Sequence, residues 1–346
     1  MSGTVATCVR CASSVQRTDR FCENCGAPLS EVRRVAIPRS RRATESPDEP
    51  CADCGSKTHV GEYCTVCGSR RAEPDRDQME IAGIVLISDR GLEHVRNEDA
   101  AAAGIVAGGD GERPHAIAVA VCDGVSTSGD ARNAAVAAST AGVDAMLTAL
   151  AASRKARSAV MAVMAGLADA AKAAAAAART DPSSAPSCTY TAATVVRTST
   201  GTVQISVGNV GDSRVYWLPE PPAPAQRLTV DDSLAQELIT AGVAADSEAV
   251  HAGAHTLTRW LGADAESTPW SESSVRTITA AGPGSLVMCT DGLWNYLPDA
   301  DDIARFCTGT HPTAAARALV DYALQAGGHD NVTVAVIPIG GLHEFG

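Results

Sequence analysis

Aromatic residues are scarce in this chain: 3% of 346 residues, made up of 3 Phe, 4 Trp and 5 Tyr. A core without aromatic bulk must be filled by aliphatic side chains and by alanine, whose abundance reads as coding bias rather than function. The hydrophobic share, 45%, is ordinary, and the length allows about two domains. Long apolar runs are missing too. No stretch of about 18 residues escapes charged or small polar interruption, so no transmembrane helix is expected. Met1 to Arg10 lacks the apolar core of a signal peptide, which leads to the expectation of a cytoplasmic protein with no membrane anchor. Basic charge is in short supply, with 28 Lys and Arg against 40 Asp and Glu, a net charge of −12. The deficit is uneven. Residues 1–78 hold 12 basic and 11 acidic residues, net +1; residues 79–346 hold 16 and 29, net −13. A domain this acidic argues against nucleic acid or an anionic membrane as its main partner.

Cysteine is present in quantity at one end only. Eight of 12 lie in the first 67 residues as four C-x-x-C pairs. Cys8, Cys11, Cys22 and Cys25 form one quartet, and Cys51, Cys54, Cys64 and Cys67 a second. Each has an aromatic residue before its second pair (Phe21, Tyr63) and a glycine after it (Gly26, Gly68). C-x-x-C places two thiolates on one tight knuckle, and two knuckles close a tetrahedral shell of four thiolates, so the repeat reads as two zinc ribbons with structural Zn2+. A disulfide framework would need an oxidising compartment. Segments this small cannot fold on their own apolar burial, so the metal must supply the folding energy. Residues 1–29 and 51–68 are the expected ribbons, 30–50 and 69–78 linkers, and 79–340 the larger domain. Arg33, Arg34, Arg39, Arg41 and Arg42 form a basic patch that reads as a solvated linker near Pro38, Pro47 and Pro50. The ribbons suit docking of a kinase, substrate or regulator. Cys122, Cys188, Cys289 and Cys307 read as packed core thiols, with oxidation near Asp123 and Asp291 as the sharper alternative.

Four acidic motifs follow in order: Arg96-Asn97-Glu98-Asp99, Val121-Cys122-Asp123-Gly124, Cys289-Thr290-Asp291-Gly292 and Gly328-His329-Asp330-Asn331. Three sit at the end of an apolar run of strand length: Ala116 to Val121, Ser285 to Met288 and Val332 to Ile337. Asp-Gly and Asp-Asn are also ordinary turn formers. Carboxylates that converge from strand ends must bind a hard cation or share protons.

The ordered set resembles the metal-dependent PPM-type protein Ser/Thr phosphatases, the protein phosphatase 2C family, over about Ile81 to Ile339. Ser88-Asp89-Arg90-Gly91 with Asn97-Glu98-Asp99 is similar to its first motif and Cys122-Asp123-Gly124-Val125 to its metal motif. Thr189 to Val196 is similar to a Thr-rich strand. Gly208 to Arg214 resembles the Gly-Asp-Ser-Arg hairpin, and Leu228 to Ser233 and Thr258 to Gly262 the two ends of its flap. Thr290 to Trp294 and Asp330 to Thr333 resemble the last two metal motifs.

The resemblance implies a site for two Mg2+ or Mn2+ ions. Asp123 would bridge them, Asp291 and Asp330 would complete one, and the Gly124 carbonyl the other. Glu98 and Asp99 would hold waters on the metals, and Asp212 with Asp291 would form a third, weaker site. An acidified water would attack the phosphate in line, with no phosphoenzyme. One departure touches substrate binding. The family's phosphate-contacting Arg lies five residues before the motif Asp, and His94 stands there, with Arg96 nearby. His lacks the bidentate fork and binds phosphate best when protonated. Animal relatives carry a His directly after the metal Asp-Gly; here Val125 and Ser126 follow, as hydrophobic or small residues often do in bacterial members.

Thr202 to Val207 alternates as a half-buried strand, and the turn Asn209 to Asp212 leads into Arg214 to Leu218, which predicts a hairpin. Ala131 to Ala152 and Arg154 to Arg179 read as Ala-rich helices, Ile303 to Phe306 and Pro312 to Leu324 as short ones. Asp231 to Leu261 is the expected flap, holding His251 and His255. Strands mixed with paired helices suit α+β, and the resemblance implies two packed antiparallel sheets flanked by helices (an α-β-β-α sandwich), preceded here by small zinc-ribbon modules. The function expected is hydrolysis of phosphoserine and phosphothreonine on phosphorylated proteins, opposing bacterial eukaryotic-like Ser/Thr kinases. The alternative is a metal-binding pseudophosphatase or scaffold whose ribbons do the recognition.

Overall fold

The computed structural model describes residues 5–7, 13–16, 23–25, 32–38, 54–60, 63–68, 76–107, 114–152, 158–178, 185–198, 202–266, 268–271, 274–280 and 282–340. At its centre are two six-stranded antiparallel sheets. In spatial order the first runs Val275–Ala280, Val203–Val210, Tyr190–Arg197, Pro114–Cys122, Ala100–Ala107 and Val32–Ile37. The second runs Gln226–Arg227, Arg214–Pro219, Gly284–Cys289, Val332–Ile339, Ile84–Asp89 and Arg76–Ile81.

Successive side chains on a strand point to opposite faces, and here both faces are apolar. Ala101, Ala103 and Ile105 point between the sheets and meet Leu86, Met288 and Ile337. Their neighbours Ala100, Ala102 and Val106 point outward onto the helices Ala131–Ala152 and Ser158–Ala176. On the far side, Val85, Ile87, Val334 and Val336 carry the helices Ala300–Cys307 and Pro312–Ala326. The layers are therefore helix, sheet, sheet, helix. Alanine takes the place of missing aromatics because small side chains let helix and sheet approach closely. At Gly142 even a methyl group would fall 2.0 Å from the Tyr190 hydroxyl. Cys122, Cys188, Cys289 and Cys307 are all buried, as expected of core thiols.

The structure revises four readings of the sequence. Ala131–Ala152 and a window of the second long helix are, by length and composition, apolar enough to cross a membrane. Their apolar faces (Ala134, Ala138 and Leu147 on the first, Val163 and Leu167 on the second) cover the sheet instead. The 30–50 stretch holds a strand, Val32–Ile37, paired with Ala100–Ala107 from Val32 opposite Val106 to Ile37 opposite Ala101. Val35 and Ile37 turn into the inter-sheet core, and Arg34 pairs with Asp144 on the neighbouring helix. Val203–Val210 and Arg214–Pro219 do not form a hairpin. The first belongs to one sheet and the second to the other, and the turn between them crosses the sandwich. Gly211 makes that crossing at φ +103°, where a Cβ would strike the Thr189 side chain at 2.6 Å. Finally, Val203–Val210 is buried on both faces, since Gly208 admits Val163 and Leu167 of the covering helix.

Candidate active site

Both sheets present strand ends to one cavity of about 710 Å3. Asp99 precedes Ala100–Ala107 and Asp123 follows Pro114–Cys122, and Ala100 and Cys122 are cross-strand partners. From the second sheet come Asp291, just after Gly284–Cys289, and Asp330, just before Val332–Ile339. Asp212 lies in the turn that crosses between the sheets. Close backbone approach makes the convergence possible. A Cβ on Gly292 would lie 2.0 Å from the Asn331 carbonyl, one on Gly124 2.8 Å from the Glu98 carbonyl, and one on Gly91 2.2 Å from the Asp330 carbonyl.

Two hydrogen-bond networks hold the acids in place. Asn331 Oδ1 accepts from the Glu98 amide at 2.7 Å, and Asn331 Nδ2 donates to the carbonyls of Arg90 at 2.7 Å and Arg96 at 3.2 Å. One side chain thus fixes the loop that carries His94, Glu98 and Asp99. Behind it, Thr290 Oγ1 donates to Asp99 Oδ2 at 2.9 Å. Asn97 donates to Ser88 Oγ at 2.7 Å, and Ser88 Oγ is paired with Thr333 Oγ1 at 2.7 Å. In the first sheet the Asp123 amide donates to Thr189 Oγ1 at 2.9 Å, and Thr189 is paired with Ser213 at 2.9 Å. Asn331, Thr290 and Thr189 have no place among the sequence-derived site residues. Their roles come from tertiary contact; in the sequence Thr290 and Asn331 stood inside the acidic motifs, and Thr189 opened the Thr-rich strand, with no role assigned.

Charge is crowded at the base of the cavity. Burial, opposed by the Thr333 and Thr290 hydrogen bonds but aided by Asp330 and Asp291, pushes the Asp99 carboxyl up to about 8. Burial, with Asp291 and Asp231, does the same to Asp212, again to about 8. Asp123 is driven well above the usual carboxylate range by burial and then by Asp99, Asp291, Asp330 and Asp212. Asp330 is raised by burial and by Asp291. Asp99 Oδ1 and Asp291 Oδ1 are buried with no hydrogen-bond donor. Such a set costs free energy unless protons or cations neutralise it. Asp212, His255 and Asp291 bring ligand atoms within 4.8 Å of one another, a candidate metal-binding group.

The cavity is lined by Asp123, Gly124, Asp212, Asp291 and Asp330, all expected from the sequence. His94 stands at the Asp330 carboxylate, Nε2 to Oδ1 3.2 Å. Arg96 is drawn instead to Asp130, at 3.8 Å on the surface. His251 is exposed on the short helix Glu248–Ala252. His255, which the sequence placed only within the flap, meets Asp291 Oδ2 with Nδ1 at 3.4 Å. Its ring stacks on Trp294, centroids 5.7 Å apart and planes 8° from parallel. On that indole lies Arg214, 3.7 Å from the ring centroid, and Asp231 clamps the guanidinium through Nη2 at 2.6 Å and Nε at 3.1 Å. Sequence reasoning missed this cation–π pile because its members are spread from Arg214 to Trp294.

A second cluster lies in the front end. His59–Val60 pairs with Tyr63–Cys64, and the sulfurs of Cys54, Cys64 and Cys67 lie within 4.8 Å of one another. Val66 N–H points at Cys64 Sγ at 3.4 Å, and amide hydrogen bonds from Cys67 and Val66 lower the Cys64 pKa. That is the environment of a thiolate ligand. Cys51, Cys8, Cys11 and Cys22 lie outside the described residues.

The protein phosphatase 2C family profile matches residues 265–332. The chain is 30% identical over 135 residues to the Serine/threonine phosphatase stp of Listeria innocua, covering 39% of this chain and 51% of that protein. It thus spans about half the length of the curated relatives it matches. Among solved structures, the PPM Ser-Thr phosphatase MsPP from Mycobacterium smegmatis, in complex with cacodylate, is 27% identical with a TM-score of 0.54 over 74% of this chain and 98% of that one. The catalytic domain of the serine threonine protein phosphatase PstP, in complex with 2 manganese ions, is 25% identical with a TM-score of 0.51 over 73% and 96%. The sandwich of two antiparallel sheets flanked by helices is the fold this chain shares with those solved structures. The chain is thus similar to the protein phosphatase 2C family over residues 265–332 and to bacterial Ser/Thr phosphatases in fold over about three-quarters of its length.

Proposed function

We propose that this chain hydrolyses phosphoserine and phosphothreonine on proteins, with two Mg2+ or Mn2+ ions held by Asp123, Gly124, Asp291 and Asp330 and a third by Asp212 with Asp291. The observation that carries the reading is the crowding of five carboxylates at one cavity base, two of them with orphaned buried oxygens. An all-oxygen donor set suits hard cations that keep water, so the residues fit the group. When bound, the ions would supply an acidified water and neutralise the phosphoryl oxygens. The chain's own groups bind and orient. Thr290 holds one oxygen of Asp99 and leaves the other to accept a hydrogen bond. Glu98 is fixed through Asn331, and His94, beside Asp330, would contact the phosphate in place of Arg.

In the front end, Cys54, Cys64 and Cys67 with Cys51 would hold one structural Zn2+, and Cys8, Cys11, Cys22 and Cys25 a second. Thiolate ligands persist in a reducing compartment, which supports a cytoplasmic protein that opposes Ser/Thr kinases, with the ribbons as docking modules.

Purified protein should release phosphate from a phosphothreonine peptide with Mn2+ and not with chelator. Asp123→Asn and Asp291→Asn should each abolish turnover while the circular dichroism spectrum is kept; turnover in either would overturn the metal assignment. His94 favours a second reading, a scaffold with weakened phosphate grip. His94→Arg should lower KM several-fold with kcat little changed if the enzyme is active. Mn2+ binding without turnover in both forms would select the scaffold.

A further inference from the structure

The cavity extends well beyond the carboxylates, and its far wall carries a different chemistry. Trp260 and Asp264 line it at the exit of the flap. Asp264 Oδ1 accepts from Trp260 Nε1 and from Ser187 Oγ, each at 3.1 Å. Both anchoring bonds use one oxygen, and Oδ2 takes no hydrogen bond from any described residue. The shelf is built rather than incidental. Ser187–Cys188 pairs with Leu261–Gly262, and a Cβ on Gly262 would lie 2.8 Å from both Asp264 Oδ1 and Ser187 Oγ. Glycine there is what lets the carboxylate seat. The same segment joins the catalytic base of the cavity, since Gly124 bridges Cys188 and the Thr189 amide donates to the Asp123 carbonyl at 2.8 Å.

No Lys or Arg lines the cavity among the described residues. The nearest flap cation, Arg259, is engaged by Asp232 at 3.1 Å. The basic side chains that do line it, His255 and His329, are engaged by Asp291 and Glu93, so neither is paired with the anchored Asp264 carboxylate. A carboxylate next to an aromatic face is the chemistry that recognises a guanidinium or ammonium. A phosphate group fills only the carboxylate end of a cavity of about 710 Å3, which leaves room for neighbouring side chains of a bound peptide.

We propose that Trp260 and Asp264 form a subsite for an Arg or Lys side chain flanking the phosphorylated residue of the substrate. The inference rests on the phosphatase reading and narrows its substrate class to phosphopeptides with a basic neighbour. The net charge of −13 over residues 79–346 acts in the same direction at longer range.

The test uses full-length, Mn2+-loaded protein and phosphothreonine peptides that carry Arg, Ala or Glu at each flanking position in turn. Anisotropy reads binding and phosphate release reads turnover. At one flanking position Arg should bind about tenfold tighter than Ala, the scale of a cation–π contact and a charged hydrogen bond together, and Glu weaker than Ala. Asp264→Asn keeps an acceptor for Trp260 and Ser187 while removing the charge, and should bring Arg and Ala to within about twofold. Trp260→Leu should reduce the same ratio. Equal binding of Arg and Ala peptides at every position, or an Arg preference that survives Asp264→Asn, overturns the subsite. Arg-selective binding with no turnover of any peptide leaves the subsite standing and removes the enzyme reading. Turnover without Arg selectivity does the reverse.

Discussion

Asn331 shows how one side chain can serve a site it does not line. Its amide holds Glu98, Arg90 and Arg96 through three backbone hydrogen bonds, and the residue is 4% exposed. Removing it leaves buried backbone groups without partners, which costs about 1–3 kcal/mol for each group left unsatisfied. Asn331→Ala should lower the urea midpoint and reduce kcat through displacement of Glu98 and Asp99. Wild-type kcat in a folded Asn331→Ala protein would show that the loop is held by other contacts. The carboxylates that meet at the cavity were legible residue by residue, because strand-end Asp in ordered motifs leaves a mark in the chain. Asn331, His255 and Arg214 were legible as members of a motif, a flap and a turn, but not their contacts, since each acts on a partner far away in sequence.

At the scale of elements, Val32–Ile37 is the clearest departure. Its polar, proline-flanked surroundings read as a linker, yet alternation puts Val35 and Ile37 into the inter-sheet core and Val32 and Ala36 toward the helices. Ile37 is 1% exposed. Ile37→Ala should destabilise the domain by about 2–5 kcal/mol, the cost of a buried cavity, measurable by urea denaturation with metal present. A loss under about 0.5 kcal/mol, the range of an ordinary surface change, would mean the strand is dispensable in solution. The strand also ties the cysteine-rich front end to the sandwich on either side of its own sequence, so the front end is not simply appended. The crossing turn at Gly211 was misread for a related reason. A tight turn between two apolar strands looks the same in sequence whether the strands pair or part, and only packing against Thr189 and the second sheet separates the two cases.

For the whole molecule, the crowded carboxylates should make stability depend on both pH and cations. Asp99 and Asp212 are raised to about 8 in the fold, against about 3.9 in an unfolded chain. Between those values the metal-free folded state binds more protons than the unfolded one, so these two groups stabilise it at low pH and that contribution is lost as pH rises toward 8. Metal-free protein should therefore show a Tm that falls from about pH 5 to pH 8, and Asp212→Asn should flatten the fall. Mn2+ should raise Tm most at the alkaline end, by about 2.7 kcal/mol in stability at a hundred times its Kd. A Mn2+ effect independent of pH would mean that the ions do not replace protons at these carboxylates.

The chain by itself determined the mixed α+β class, the long helices, the acidic motifs and the cysteine repeats, because hydrophobic period, turn residues and ligand spacing are local and each leaves its mark within a few residues. Tertiary structure alone decided that Val32–Ile37 joins the sheet, that the chain crosses the sandwich at Gly211, that His255 meets Asp291, and that Trp260 and Asp264 share a cavity with Asp123. Those are contacts between segments tens or hundreds of residues apart, set by packing two sheets face to face, and packing has no period in the sequence.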